Sequence, residues 1–257
     1  MNLAGAIAVG LVIGVVLGTL GGGGAILTIP VLTYAFGMGI RESTTASLVI
    51  VGVSSLVAVF VHARAGRVDW VRGLVFAAFG MGGAALGSIG SRGLDPDWLM
   101  AGFAVLLAVV AGLMLRPGRP KPDAEGPARP SARRSVLTAA TGLGVGVLTG
   151  FFGVGGGFAI VPALTLVLGL PMPVAVATSL LVISLNSASA LATKLALGVT
   201  LDWVFVGAFT AATIVGSVFG ARLAGRLDAA VLKRAFAWLL VAVSAYMLVT
   251  SAITLLG

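Results

Sequence analysis

Apolar runs of about 20 residues recur along this chain and restrict its fold more than any other feature, because that is the length an α-helix needs to cross a hydrocarbon core. Ten apolar segments are readable, at roughly 3–20, 25–37, 44–62, 71–91, 98–115, 136–152, 157–169, 175–197, 203–224 and 232–256. Only 9% of the 257 residues are charged, against about 25% in a soluble domain, and mean hydropathy is +1.15. So few charges do not cover a water-facing surface of this size. The predicted class is an all-α polytopic membrane protein with about 8–10 hydrophobic helical segments, some of them broken or re-entrant. Met1-Asn2-Leu3 offers no positive n-region, so a cleaved signal peptide is not expected.

One stretch is plainly polar. Arg116 to Arg134 holds five of the ten prolines, six basic residues and two acids. It is too polar to span and too rich in proline for a helix. The chain therefore divides into a first membrane repeat (1–115), a basic linker (116–135) and a second membrane repeat (136–257). The word repeat is literal. Gly10, Gly14 and Gly18 recur in the second half as Gly142, Gly146 and Gly150. Gly21, Gly23, Gly24, Pro30, Leu32, Thr33 and Gly37 match Gly153, Gly155, Gly156, Pro162, Leu164, Thr165 and Gly169 at the same offset. After one inserted residue, Trp70, Gly83 and Gly87 match Trp203, Gly216 and Gly220. The glycines spaced by four form smooth helix faces suited to close packing.

Lys and Arg set the expected orientation. Thirteen of the 16 basic residues fall in the loop holding Arg64, Arg67 and Arg72, in the linker, and in the loop holding Arg222, Arg226, Lys233 and Arg234. Placing these in the cytoplasm puts equivalent loops of the two repeats on opposite faces. The repeats are then inverted, and both chain ends face outward. This placement also explains the net charge of +8 without a nucleic-acid partner. The expected partners are a lipid bilayer and a small anionic substrate, a homo-oligomer is compatible with the build, and the location is the inner or plasma membrane.

Segments 25–37 and 157–169 are equally short. A helix of that length rises about 20 Å, short of the ~30 Å core. Each follows a glycine cluster, Gly21 to Gly24 or Gly153 to Gly157 with Val154 inserted, and each holds a proline. At such a break the backbone N–H groups of the next helix lack partners and attract an anion. Two breaks in inverted repeats converge near the midplane, where transporters of this build bind substrate. Taken singly, the glycines read as packing or turn residues; the matched pair points to a site. Small hydroxyls follow each proline, and they donate hydrogen bonds without a charge that would trap an anion. The candidate binding residues are Gly23, Gly24, Ser47, Gly155, Gly156, Thr178, Ser179 and Asn186. Any one hydroxyl has a blander use, bonding its own helix backbone. His62 and Lys194 are equivalent positions of the repeat and read as snorkelling interface residues, with an anion-attracting gate as the alternative. All eight acids lie in loops or at segment ends, so no buried proton relay is evident. With no Cys and one His, neither a metal site nor an enzymatic nucleophile–base pair is expected, and no cofactor is.

These motifs resemble those of the sulfite exporter TauE/SafE family of anion permeases. The resemblance rests on the four glycines from Gly21 followed by Pro30 and Leu32, on Gly153 to Gly157 followed by Pro162 and Leu164, and on the Ala-x-Ala-Thr-Ser-Leu string from Ala175 to Leu180. It covers nearly the whole chain. The first repeat reads Thr45-Ala46-Ser47-Leu48 where the second reads Ala177-Thr178-Ser179-Leu180, so a binding role carries more firmly to the second. The resemblance implies passage or export of sulfite, an organosulfonate or a related small sulfur oxyanion. The expected function is a secondary transporter; the alternative is a membrane scaffold or assembly protein without transport.

Overall fold

A computed structural model describes residues 3–90, 96–116, 132–152, 157–196 and 201–256. The chain forms α1 (Leu3–Leu20), α2 (Gly23–Pro30), α3 (Ile40–Arg64), α4 (Trp70–Gly90), α5 (Pro96–Leu115), α6 (Ala132–Phe152), α7 (Gly157–Pro162), α8 (Met172–Ala196), α9 (Trp203–Ala224) and α10 (Ala229–Leu256). Each apolar segment has become one helix, and the described residues contain no strand. Helix α3 begins slightly before its apolar run does, because a first helical turn accepts polar residues such as Arg41 and Glu42, and α8 begins early with Pro173 in its first turn, where a missing N–H is tolerated. Of the linker, only Arg116 and the start of α6 fall among the described residues.

Among the described residues, seven helices are long and apolar enough to cross a membrane: α1, α3, α4, α6, α8, α9 and α10. The two segments marked as too short remain short, running Gly23–Ala35 and Gly157–Val167. Each widens into a π-helical turn directly after its proline, Val31–Ala35 and Ala163–Val167. Proline has no N–H for the i−4 carbonyl, and a local change of helical winding accommodates the gap. Both turns close alike. Met38 N–H donates to the Leu32 carbonyl at 3.1 Å and Leu170 N–H to the Leu164 carbonyl at 2.9 Å, with Gly37 and Gly169 both at φ +68°. The sequence offset thus carries a shared local backbone.

The glycine faces make the tightest helix pairs. Along α1, Gly10 lies against Phe209, Gly14 against Thr213 and Gly18 against Ser217, all on α9. Along α6, Gly142 lies against Phe76, Gly146 against Gly80 and Gly150 against Ala84, all on α4. In both pairs the numbers rise together, so the helices are parallel. By contrast α3 and α8 run antiparallel: Lys194 reaches Thr44 while Ser187 sits on Gly52. Helices α5 and α10 also meet, with Lys233 Nζ 3.5 Å from the Arg116 carbonyl.

Polarity is arranged for a lipid solvent. Phe60, Val204, Phe219 and Trp238 are exposed on the outside of the bundle, whereas Ser54, Ser55, Thr178, Ser179, Thr213 and Ser217 are buried. Lipid tails solvate apolar side chains, and the hydroxyls of Thr178, Ser179, Thr213 and Ser217 find backbone partners inside the bundle.

Candidate functional site

The chain turns out of α1 at Gly21, whose φ of +67° is a left-handed conformation that a side chain resists. Its N–H still bonds the Leu17 carbonyl at 2.8 Å, so the turn is tied to the helix it ends. Gly22 then packs directly on the backbone of Gly157, the first residue of α7. The two short helices therefore begin next to each other inside the bundle, with α3 and α8 beside them. Only residues without side chains approach this closely.

The sequence-derived site residues fall in different surroundings. Gly23 faces Leu239 and Phe236 of α10, and Gly24 faces Leu17 of α1; both are packing points at the start of α2. Gly24 N–H makes a long 3.4 Å bond to the Gly21 carbonyl. Ser179 is buried on α8, and its Oγ lies against Gly21. That hydroxyl donates to the Val176 carbonyl at 2.8 Å. Its neighbour Thr178, also buried, turns to another element: its Oγ1 accepts the backbone N–H of Asp69 at 3.1 Å. Adjacent residues of α8 thus hold the break after α1 and the loop between α3 and α4. Ser47 is buried on α3. Asn186 lies further along α8 than Ser179, and its Oδ1 is buried without a partner. Gly155 and Gly156 lie outside the described residues.

Two features escaped sequence reasoning. Asp69 caps α4, accepting from Arg72 N–H at 3.0 Å and pairing with Arg72 Nε at 3.5 Å. Asp202 caps α9 in the same way, accepting from Val204 and Phe205 N–H at 3.1 Å each. The signal was present as Asp-Trp at both helix starts, a cap residue ahead of an apolar run. The bond from Asp69 to Thr178 has no such symmetry, because Ala46 stands where Thr178 would in the first half. Thr178→Val is therefore expected to lower stability by about 1–3 kcal/mol, the cost of an orphaned N–H. Thr178→Ser should restore it. Thermal melting of the purified protein reads both.

The second feature is His62, read from sequence as a snorkelling residue. It is instead 1% exposed and turned inward, Nε2 lying 3.2 Å from the Gly18 carbonyl oxygen. Its register partner Lys194 is half-buried, with Nζ 3.5 Å from Thr44 Oγ1 across the α3–α8 seam.

Comparison with known proteins agrees with this architecture. A Xylella fastidiosa protein named "Probable membrane transporter protein" is 35% identical over 241 residues, spanning 92% of this chain and 91% of its own length. The Bacillus subtilis "Probable membrane transporter protein YdhB" is 27% identical over 226 residues, spanning 87% and 91%. A Methanocaldococcus jannaschii relative, "Probable membrane transporter protein MJ0441", is 29% identical over 174 residues, spanning 62% of this chain and 60% of its own length. No solved structure matches the chain. The family model described as "Sulfite exporter TauE/SafE" matches residues 6–247. With the multi-pass helical build, the buried hydroxyls and this match over nearly its whole length, the chain belongs to the TauE/SafE family of membrane transporters.

Proposed function

We propose that this protein is a secondary transporter, working as an exporter, of a small sulfur-containing oxyanion such as sulfite or an organosulfonate. The anion is held where the two glycine-rich breaks meet, and alternating access comes from two inverted repeats rocking about that point. The observation that carries this reading is the contact of Gly22 with Gly157 beside Ser179. Two interrupted helices meeting inside a membrane bundle are tolerated only where they are enclosed by protein or line a polar path.

Support for the inversion comes from the pairings. Helix α1 packs on α9 as α6 packs on α4, with each glycine contact reproduced at the offset of the sequence repeat. The register-related pairs α3–α8 and α5–α10 each pack on each other, an arrangement compatible with a two-fold axis between the halves. The basic loops facing the cytoplasm then put both chain ends outside. Gly23, Gly24, Gly155 and Gly156 contribute backbone N–H groups, and Ser47, Thr178, Ser179 and Asn186 contribute neutral polar side chains. Ser179 exchanges its bond to Val176 for one to the anion. Neutral donors select a desolvated anion yet release it. An interior-negative potential of about 100 mV favours exit of each net negative charge moved by about 2.3 kcal/mol.

The substrate class is tested by thermal shift of the purified protein with sulfite, sulfoacetate, taurine, thiosulfate and sulfate. Stabilisation by one or more of the sulfur oxyanions, and less by taurine, whose ammonium group offsets its charge, is expected. Indifference to all five would remove the assignment.

A further inference from the structure

We propose that His62 is a proton-binding site linked to the anion site, so that a proton and the anion occupy the protein together. This rests on the transport reading above. His62 is the chain's one histidine, and it is buried at the last turn of α3 with Nε2 against the Gly18 carbonyl. A carbonyl only accepts, so Nε2 carries the hydrogen and Nδ1 bears a free lone pair. Nδ1 is buried and has no hydrogen-bond partner, which is a costly state for an interior polar atom. Adding a proton there makes an imidazolium and leaves the bond to Gly18 in place.

Position links this charge to the anion. Gly18 stands just before Gly21 in the chain, and Gly21 lies against the Ser179 hydroxyl. The charged groups at this end of the surrounding elements are Arg64 on α3, Arg67 in the next loop, Asp69 and Arg72 at the head of α4, and Arg222 at the end of α9. Asp69 is paired with Arg72, and α1 and α2 carry no charged side chain. Glu42 and Asp202 stand at the opposite ends of α3 and α9, whereas Arg226 and Asp228, both exposed, lie at this end in the turn from α9 to α10. A positive charge at His62 thus has no free carboxylate on the ends of α1, α3, α4 and α9 that meet here, and an arriving anion fills that role. Opposite charges attract strongly where water is excluded. By linkage each ligand then raises the affinity for the other by the same factor. The proton enters from water on one face and leaves to water on the other, and the imidazole returns to its neutral form. A dianion moving with one proton carries one net negative charge, and a monoanion carries none.

His62→Gln supplies the test, because the amide keeps an N–H for the Gly18 carbonyl but takes up no proton. Radiolabelled thiosulfate is the probe, since it does not itself titrate in the range used. In proteoliposomes, acidifying the side from which the anion enters is expected to speed wild-type uptake roughly fivefold or more. His62→Gln should transport at a rate indifferent to that acidification. An equal acid response in both proteins would overturn the proposal. The sole imidazole also reports directly by nuclear magnetic resonance in lipid nanodiscs. It is expected to gain one proton reversibly as the pH is lowered, and to be more fully protonated when thiosulfate is present. An imidazole that stays neutral throughout would overturn the proposal. Should wild type carry no anion at all, the transport reading fails, and the imidazole titration still decides whether the proton site exists.

Discussion

Gly146→Ala is expected to destabilise the protein severely, whereas Gly144→Ala, its near neighbour on the same helix, should leave it unchanged. A Cβ added at Gly146 collides with the carbonyl oxygen of Gly80, while one added at Gly144 meets nothing within 4 Å. The obstacle at Gly146 is backbone, which has no rotamer to yield, so α6 and α4 must move apart along their whole length. Overpacking of this kind costs about 1–3 kcal/mol and sometimes more. Here the upper end is expected, since close backbone approach is what holds helices together without a hydrophobic driving force. Gly14→Ala on α1 should match it, because its Cβ meets the Thr213 carbonyl of α9 in the same way. Melting of the purified variants in detergent reads the effect. Equal melts for Gly144→Ala and Gly146→Ala would show that the α4–α6 contact is not a tight one.

The second large effect concerns selectivity. Ser179→Asp is expected to abolish anion flux. The side chain is fully buried on α8 against the Gly21 turn, so a carboxylate there is poorly solvated and repels an arriving anion. Ser179→Asn has the shape of the Asp variant without its charge and should retain flux, which separates repulsion from bulk. Ser179→Ala removes one neutral hydrogen bond, worth about 0.5–1.5 kcal/mol net, so a loss of roughly two- to tenfold is expected. Each variant is assayed as radiolabelled sulfite uptake into proteoliposomes, with melting as the check on folding. A wild-type rate in Ser179→Asp would remove this residue from the site.

The positions of the helices were legible because apolar runs and glycine spacing are local signals. Gly10, Gly14 and Gly18 announce a packing face by their spacing alone, and the face is found against α9. The partner was not legible: the spacing of Gly142, Gly146 and Gly150 does not say that their face meets Gly80 and Gly83 of α4. The short segments before and after Pro30 and Pro162 were legible as breaks by length, but the π-helical turns that follow those prolines were not, because proline signals a disturbed ladder without saying how the winding adjusts. Neighbouring hydroxyls could not be told apart. Thr178 accepts from Asp69, distant in sequence, whereas Ser179 donates to its own helix. Only the tertiary arrangement distinguishes them. His62 misled for the same reason. Near a helix end, a snorkelling side chain and one turned inward have the same sequence, and the Gly18 carbonyl that decides between them belongs to a different helix.

Movement of an anion across a membrane by this chain is read most directly as flux. Purified protein in proteoliposomes is given radiolabelled sulfite at alkaline pH, where sulfite is a dianion, at two potassium–valinomycin potentials. Flux well above that of protein-free vesicles is expected, faster at the potential that pulls negative charge in the direction of movement. At about 100 mV the driving energy is about 2.3 kcal/mol for each net charge moved. Flux equal to that of protein-free vesicles, for sulfite and for the other sulfur oxyanions, would show that the chain is not a sulfur-oxyanion transporter. Flux that ignores the potential would contradict the movement of net negative charge.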